Sequence, residues 1–297
     1  MTARKHHRRF APAKVNLFLH VGEKRTDGYH DLISLIAFAD IGDWLEVREA
    51  KRLSLKLEGP FADALKDDPD NLVLKAAREL DVWAEEQGHK TTPVELVLEK
   101  NLPIASGIGG GSSDAAAALH LLAGYWSLPV PIDALETIAK SLGADVPVCL
   151  RATPTLVSGM GEVLTPAPGL PPFALVLVNP RVEVPTKRIF ATLAARSGAD
   201  APHFPQDFRD VRDLAIHLDR LSNDLGPPAK VMAPSVMHAE SALAATDGCL
   251  VARMSGSGAT CYGLYETIAA AEAAAAAIQA AHPNWWVRAA RTYEGAQ

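Results

Sequence analysis

The chain is short of cysteine, aromatic residues and charge of one sign, and it has no long apolar run. Its three cysteines, Cys149, Cys249 and Cys261, are odd in number and far apart in 297 residues. That usage argues against a disulfide framework or a cysteine-ligated zinc site and suits reduced thiols in a core. No stretch reaches the roughly 20 apolar residues of a membrane-spanning helix, so no membrane partner is expected. The basic start, Arg4, Lys5, His6, His7, Arg8 and Arg9, is followed by Pro12, Lys14 and Asn16 instead of the apolar core of a secretory signal. A net charge of −6 argues against nucleic acid as a partner, and the basic cluster reads as a solvated tail. The expectation is a cytoplasmic globular protein, a monomer or weak homodimer.

Familiar nucleotide signatures are missing as well. No Gly-Lys-Ser or Gly-Lys-Thr triplet occurs, and neither does His-Arg-Asp or Asp-Phe-Gly; Ser112 stands where a dinucleotide fingerprint needs its third glycine. What is present is Leu102-Pro103-Ile104-Ala105-Ser106-Gly107-Ile108-Gly109-Gly110-Gly111-Ser112-Ser113-Asp114, running into Ala115-Ala116-Ala117-Ala118-Leu119. The partly alternating segment Val94 to Lys100 predicts a strand before it, and the alanine-rich segment predicts a helix to about Ala123, closed near Gly124. Four glycines in five residues let the backbone N–H groups curl inward, and the helix adds its positive dipole end. That combination binds phosphate. A flexible loop with Ser112 or Ser113 as N-cap is the alternative, and the strand-loop-helix context favours the cradle.

Further along, Leu45 to Arg48 and Leu53 to Glu58 read as strands, and Asn71 to Glu86 and Pro131 to Leu142 as helices. The proline-dense Thr165 to Pro172 is the candidate boundary, dividing residues 1–165 from 166–297. Beyond it lie a strand at Ala174 to Val178, a helix face marked by Phe208, Val211, Leu214, Leu218 and Leu221, and a helix at Glu266 to Ala281. The mixture predicts an α+β fold.

Three further places have residues suited to chemistry. Met254-Ser255-Gly256-Ser257-Gly258 is a second glycine loop, either a tight turn between strands or a second ligand contact. Asp145, between the Gly143 turn and an apolar run, is either an N-cap or a partly desolvated base. Lys14, in Ala11-Pro12-Ala13-Lys14-Val15-Asn16-Leu17, is either an edge-strand lysine in water or a cation that neutralises phosphate and positions a hydroxyl.

The two glycine loops together resemble those of the GHMP kinases, small-molecule kinases named for galactose, homoserine, mevalonate and phosphomevalonate. Pro12 to Leu17, Arg25-Thr26-Asp27-Gly28-Tyr29-His30, Gly109 to Ser113, Gly143-Ala144-Asp145-Val146-Pro147, Pro185-Thr186 with Phe190, Ser222-Asn223-Asp224-Leu225 and Met254 to Gly258 fall in order over nearly the whole chain. These blocks are similar to the branch of the family that phosphorylates 4-diphosphocytidyl-2-C-methyl-D-erythritol. The resemblance implies a ribosomal-protein-S5-like amino-terminal domain that binds ATP and a ferredoxin-like carboxyl-terminal domain. It implies ATP-dependent phosphorylation of the 2-hydroxyl of that cytidine-diphospho alcohol, in the non-mevalonate isoprenoid pathway. Asp145 would be the base and Lys14 its partner. Pro103, Ile104, Ala105, Ser106, Gly107, Ile108, Gly109, Gly110, Gly111, Ser112 and Ser113 would cradle ATP, with Asn71, Leu72 and Lys100 near the adenosine. Asn16, Tyr29, His30, Thr186, Phe190 and Gly256 would contact the alcohol, and Ser113 would be the protein ligand to Mg²⁺. One departure stands out: Asp114 occupies a position where asparagine is expected, putting a carboxylate beside the phosphates, turned outward or toward the metal.

Overall fold

The computed structural model describes residues 7–26, 30–66, 68, 71–193, 202–293 and 295. The chain forms two compact units: one holds residues up to Ala13 with Gly42–Ile104 and Gly109–Ala152, the other Lys14–Ile41, Ala105–Ile108 and everything from Thr153.

The first unit contains one end each of β1 (Arg8–Lys24) and β2 (His30–Glu49), then β3 (Ser54–Glu58), α1 (Leu72–Glu86), β4 (Val94–Glu99), α2 (Gly110–Tyr125), α3 (Ile132–Leu142) and α4 (Val146–Arg151). β2 pairs with β4 in antiparallel register, Trp44 opposite Glu99, while β3 runs parallel to β4 with Ser54 opposite Glu95. Parallel neighbours need a crossover, and α1 supplies it. Buried Val73, Ala76, Ala77, Leu80 and Ala84 recur at helical spacing along α1, which packs on α2. Ala115 to Ala118 are all buried in α2, so this helix is covered on every side, and its small residues allow close approach. Of the basic run expected to be a solvated tail, Arg4, Lys5 and His6 lie outside the described residues, while Arg8 and Arg9 belong to β1; Arg8 pairs with Glu99 at 2.6 Å and lies over the Trp44 ring.

In the second unit, the other part of β2 pairs with β5 (Thr155–Ser158), which pairs with β6 (Val163–Pro166). There follow β7 (Ala174–Asn179), α5 (Thr186–Ala191), α6 (Val211–Asp219), α7 (Gly226–Met232), α8 (Pro234–Ala244), β8 (Val251–Met254), β9 (Cys261–Tyr265), α9 (Ile268–Ala281) and β10 (Trp286–Arg291). The sheet order β10-β7-β9-β8, antiparallel throughout, with helices before β8 and after β9, is the split βαβ arrangement of a ferredoxin-like domain. Every residue of β7 is buried, and Val176, Val178, Leu243, Tyr265 and Ile278 meet in one core. Cys261 lies in this core, where burial pushes its thiol well above the usual range; Cys149 is also buried, in α4, and neither forms a disulfide. Among the described residues no helix is long and apolar enough to cross a membrane.

Candidate functional site

The glycine loop follows β4, and α2 begins inside it. Gly109, left-handed at φ 64°, is the N-cap, and the helix starts at Gly110, ahead of the alanine run that signals it in the sequence. Ser112 and Ser113 therefore lie in the first turn and neither caps it. The first helical hydrogen bond runs from Ser113 N to Gly109 O at 2.8 Å, so the N–H groups of Gly110, Gly111 and Ser112 precede it and point out of the helix end, where an anion binds. Gly111 is exposed and Ser112 half-buried, whereas Gly110 and Ser113 face inward, the Ser113 hydroxyl donating to Pro12 O at 2.6 Å. Asn71 caps α1, its Oδ1 accepting from Val73 N at 3.0 Å, and the Leu72 side chain lies against Gly111.

Beneath the loop is a buried ionic cluster. Lys100 Nζ donates to Asp43 Oδ2 and, at 2.8 Å, to Asp114 Oδ2, and none of the three side chains is more than 3% exposed. Asp43 Oδ1 also accepts the backbone N–H groups of Asn101 and Leu102, at 2.5 and 2.9 Å. Asp114 thus neither turns outward nor reaches for a metal; it closes the far end of the loop onto the lysine at its near end. Two carboxylates and one ammonium would leave a net buried charge. Asp114 Oδ1, moreover, has no hydrogen-bond partner among the described residues. Burial, offset in part by the Lys100 charge and reinforced by Asp43, pushes the Asp114 carboxyl up to about 8, which weakens the case for two full negative charges beside one ammonium. Burial alone would lower the Lys100 ammonium, but the charges of Asp114 and Asp43 leave it raised. Asp43 escaped the sequence reading. The available signal is an acid two residues before the alternating segment Leu45 to Arg48, a place where β2 buries it and a carboxylate needs a partner.

Asp145 occupies the N-cap position of α4, half-buried, yet its side chain makes no capping hydrogen bond.

The second unit brings the other residues together around the carboxyl-terminal glycine loop. Thr260 N donates to Ser106 O at 3.0 Å and Ser255 Oγ to Gly107 O at 3.0 Å. Gly107 has φ 76°, and a Cβ there would collide with Ser255 O and come within 2.7 Å of Gly258 N. A Cβ on Gly256 would likewise lie 2.8 Å from Gly107 O. Gly107 and Gly256 carry no side chain because their backbones pass this close to each other. Asn223 Nδ2 holds the second loop through Met254 O and Gly256 O, at 2.8 and 2.7 Å. Lys14 is buried on β1, so the edge-strand lysine in water is not what forms; its N–H donates to Ile108 O at 2.9 Å and its Nζ to Asn16 Oδ1 at 3.0 Å. Thr186 and Phe190 lie on α5: the Thr186 hydroxyl is 2.8 Å from Ser257 Oγ, and the Phe190 ring is tilted against His30 with centroids 5.8 Å apart. Tyr29 lies outside the described residues. The remaining loop residues run from buried Pro103 through half-buried Ile104 and exposed Ala105 to buried Ile108.

Comparison with known proteins gives matches along the whole chain. Residues 71–153 match the GHMP kinases N terminal domain and residues 206–284 the GHMP kinases C terminal domain. A protein of Paramagnetospirillum magneticum named 4-diphosphocytidyl-2-C-methyl-D-erythritol kinase is 53% identical over 93% of this chain and 95% of its own length. One of the same name from Cereibacter sphaeroides is 51% identical over 95% of this chain and 98% of its own. Among solved structures, a crystal structure of 4-(cytidine 5'-diphospho)-2C-methyl-D-erythritol kinase superposes with a TM-score of 0.75 at 33% identity, covering 97% of this chain and 100% of that one.

Proposed function

The chain belongs to the GHMP kinases, and we propose that it transfers the γ-phosphoryl group of ATP to the 2-hydroxyl of 4-diphosphocytidyl-2-C-methyl-D-erythritol, a step of non-mevalonate isoprenoid synthesis. The observation that carries this reading is the identity, above one half and nearly end to end, to relatives of that name.

In this reading the N–H groups of Gly110 to Ser112 and the α2 dipole hold the phosphates of ATP, with Pro103 to Gly109 shaping the approach and Asn71, Leu72 and Lys100 near the adenosine. Asp145 accepts the proton of the 2-hydroxyl as its oxygen bonds to the γ-phosphorus and the bond to the β,γ-bridging oxygen breaks. Lys14 supplies positive charge to the oxygens in flight. Such a transfer asks for positioning and charge stabilisation more than covalent chemistry, which this set of groups offers. Asn16, Tyr29, His30, Thr186, Phe190 and Gly256 are assigned to the alcohol, the aromatic rings to its cytosine, since flat apolar faces suit a base. Residues 1–165 then serve the nucleotide and 166–297 complete the acceptor side.

Magnesium is expected to accompany ATP, where it would neutralise phosphate charge. No group of three or more His, Cys, Asp or Glu side chains gathers among the described residues, which fits a cation held mainly by phosphate and water. Ser113 is the protein ligand assigned to it; its hydroxyl gives its hydrogen to Pro12 O and keeps its lone pairs. We also place the protein in the cytoplasm, as a monomer or weak homodimer.

A kinase for another small alcohol would share the ATP side but have no use for rings that stack on a base. The test is ATP consumption by the purified protein. Turnover is expected with the cytidine-diphospho alcohol and not with homoserine or mevalonate; comparable turnover of either of those would refute the assignment.

A further inference from the structure

Asn16 sits at the centre of a hydrogen-bond chain whose direction is set by two serines. Ser34 Oγ donates to Phe18 O at 2.6 Å. A hydroxyl has one hydrogen, so toward Asn16, 2.7 Å away, Ser34 Oγ is an acceptor, and the amide atom facing it is Nδ2. Asn16 Oδ1 is thereby turned to Lys14 Nζ, 3.0 Å away. The main chain obeys the same logic: Ser255 Oγ donates to Gly107 O at 3.0 Å and accepts from Asn16 N at 3.0 Å. Lys14, Asn16, Ser34 and Ser255 are all at most 5% exposed, so water does not compete for these groups.

We propose that Ser34 is a positioning residue for Lys14: by accepting from the Asn16 amide, it holds the Asn16 carbonyl oxygen toward the Lys14 ammonium and fixes where that ammonium points. This rests on the place given to Lys14 in the reaction above. Without the Ser34 hydroxyl, only the mobile Lys14 ammonium itself opposes the amide orientation rotated by half a turn, in which an NH₂ donor faces an ammonium donor and the lysine is pushed aside. The lysine stem has four rotatable bonds and loses an acceptor that orders it. Because Lys14 is assigned to the transfer step, the loss falls on kcat. A merely structural serine would lower thermal stability and would disturb both KM values, with no special dependence on Lys14.

The experiment is steady-state kinetics of Ser34→Ala, Ser34→Thr and Lys14→Met, and of Ser34→Ala combined with Lys14→Met, with thermal unfolding of each. Ser34→Ala is expected to lower kcat on the order of 100-fold, as for misplaced catalytic groups, with both KM values little changed. Ser34→Thr keeps the hydroxyl and restores most of kcat. In the Lys14→Met background, Ser34→Ala has no further effect. Where Ser34→Ala does not fold, Ser34→Cys, of similar size and a poor acceptor, reads the same loss. Wild-type kcat in a folded Ser34→Ala or Ser34→Cys, failure of a normally stable Ser34→Thr to restore turnover, or an undiminished Ser34→Ala effect without Lys14 each overturns the proposal. Wild-type turnover in Lys14→Met overturns instead the role of Lys14, and the proposal with it.

Discussion

Replacing Asp114 with asparagine is expected to stabilise the protein increasingly as pH rises. The folded protein holds the Asp114 proton until about pH 8, whereas the unfolded chain loses it near the ordinary value of 3.8. A folded-state pKa raised above the unfolded one gives a contribution that is complete below about pH 4 and is lost as pH climbs toward 8. Between those limits unfolding releases one proton, so this group alone costs about 1.4 kcal/mol of stability per pH unit. The asparagine of the variant has no proton to release. It can still accept from Lys100 where Oδ2 of Asp114 now does, at 2.8 Å, and its NH₂ replaces the oxygen that has no partner. The slopes from all other groups are common to both proteins and cancel in the difference. From pH 5 to pH 7 the advantage of Asp114→Asn over wild type should therefore grow by about 3 kcal/mol. Urea unfolding followed by circular dichroism at pH 5, 6, 7 and 8, without ATP and with EDTA present, measures it. Parallel stability profiles for the two proteins would show that burial does not raise the Asp114 carboxyl in the fold, and this account of the cluster would fail.

Three other outcomes follow from the same geometry. Asp145→Asn should lower kcat roughly 10²–10⁴-fold, the range of a positioned base, while ATP binding measured by calorimetry is kept; near-wild-type turnover would leave Asp145 a turn residue. A Cβ on Gly110 would come within 2.9 Å of Lys100 Nζ, so Gly110→Ala should cost about 1–3 kcal/mol of stability and raise the KM for ATP. An unchanged KM would remove the loop from the phosphate site. Phe190→Ala should raise the KM of the cytidine-diphospho alcohol about tenfold, the worth of one aromatic contact, and leave that for ATP unmoved. Equal effects on both substrates would show a general loss of structure.

Much of the local architecture is legible in the chain. The helix expected over 71–86 forms as Leu72–Glu86 with Asn71 capping it, and the strand expected at Val94 to Lys100 forms as Val94–Glu99. Both rest on periodicity and capping, which neighbours a few residues apart determine. Less legible is the reach of β1 and β2, at 17 and 20 residues. β1 pairs with β2, but the partners of β2 on its other side, β4 and β5, come from distant parts of the chain, and only Leu45 to Arg48 shows the alternation of a half-buried strand. The short α4, α5 and α7 are likewise stabilised by packing more than by their own pattern.

The sequence by itself determined the class of chemistry. Glycines between a strand and an alanine-rich helix favour an anion site over a plain turn, because the backbone freedom and the helix end are local properties. Ordered blocks along the chain then point to the kinase family. Only the tertiary structure decided what the ambiguous side chains do. Asp114 became a buried partner of Lys100, 14 positions before it, its carboxyl raised by burial, in a cluster completed by Asp43, 57 positions before the lysine. Asn16 acquired a definite amide orientation because Ser34, 18 residues away, had already given its hydrogen to Phe18. Charge state and hydrogen-bond direction depend on burial and on which donors and acceptors are brought within about 3 Å, and long-range packing alone supplies those.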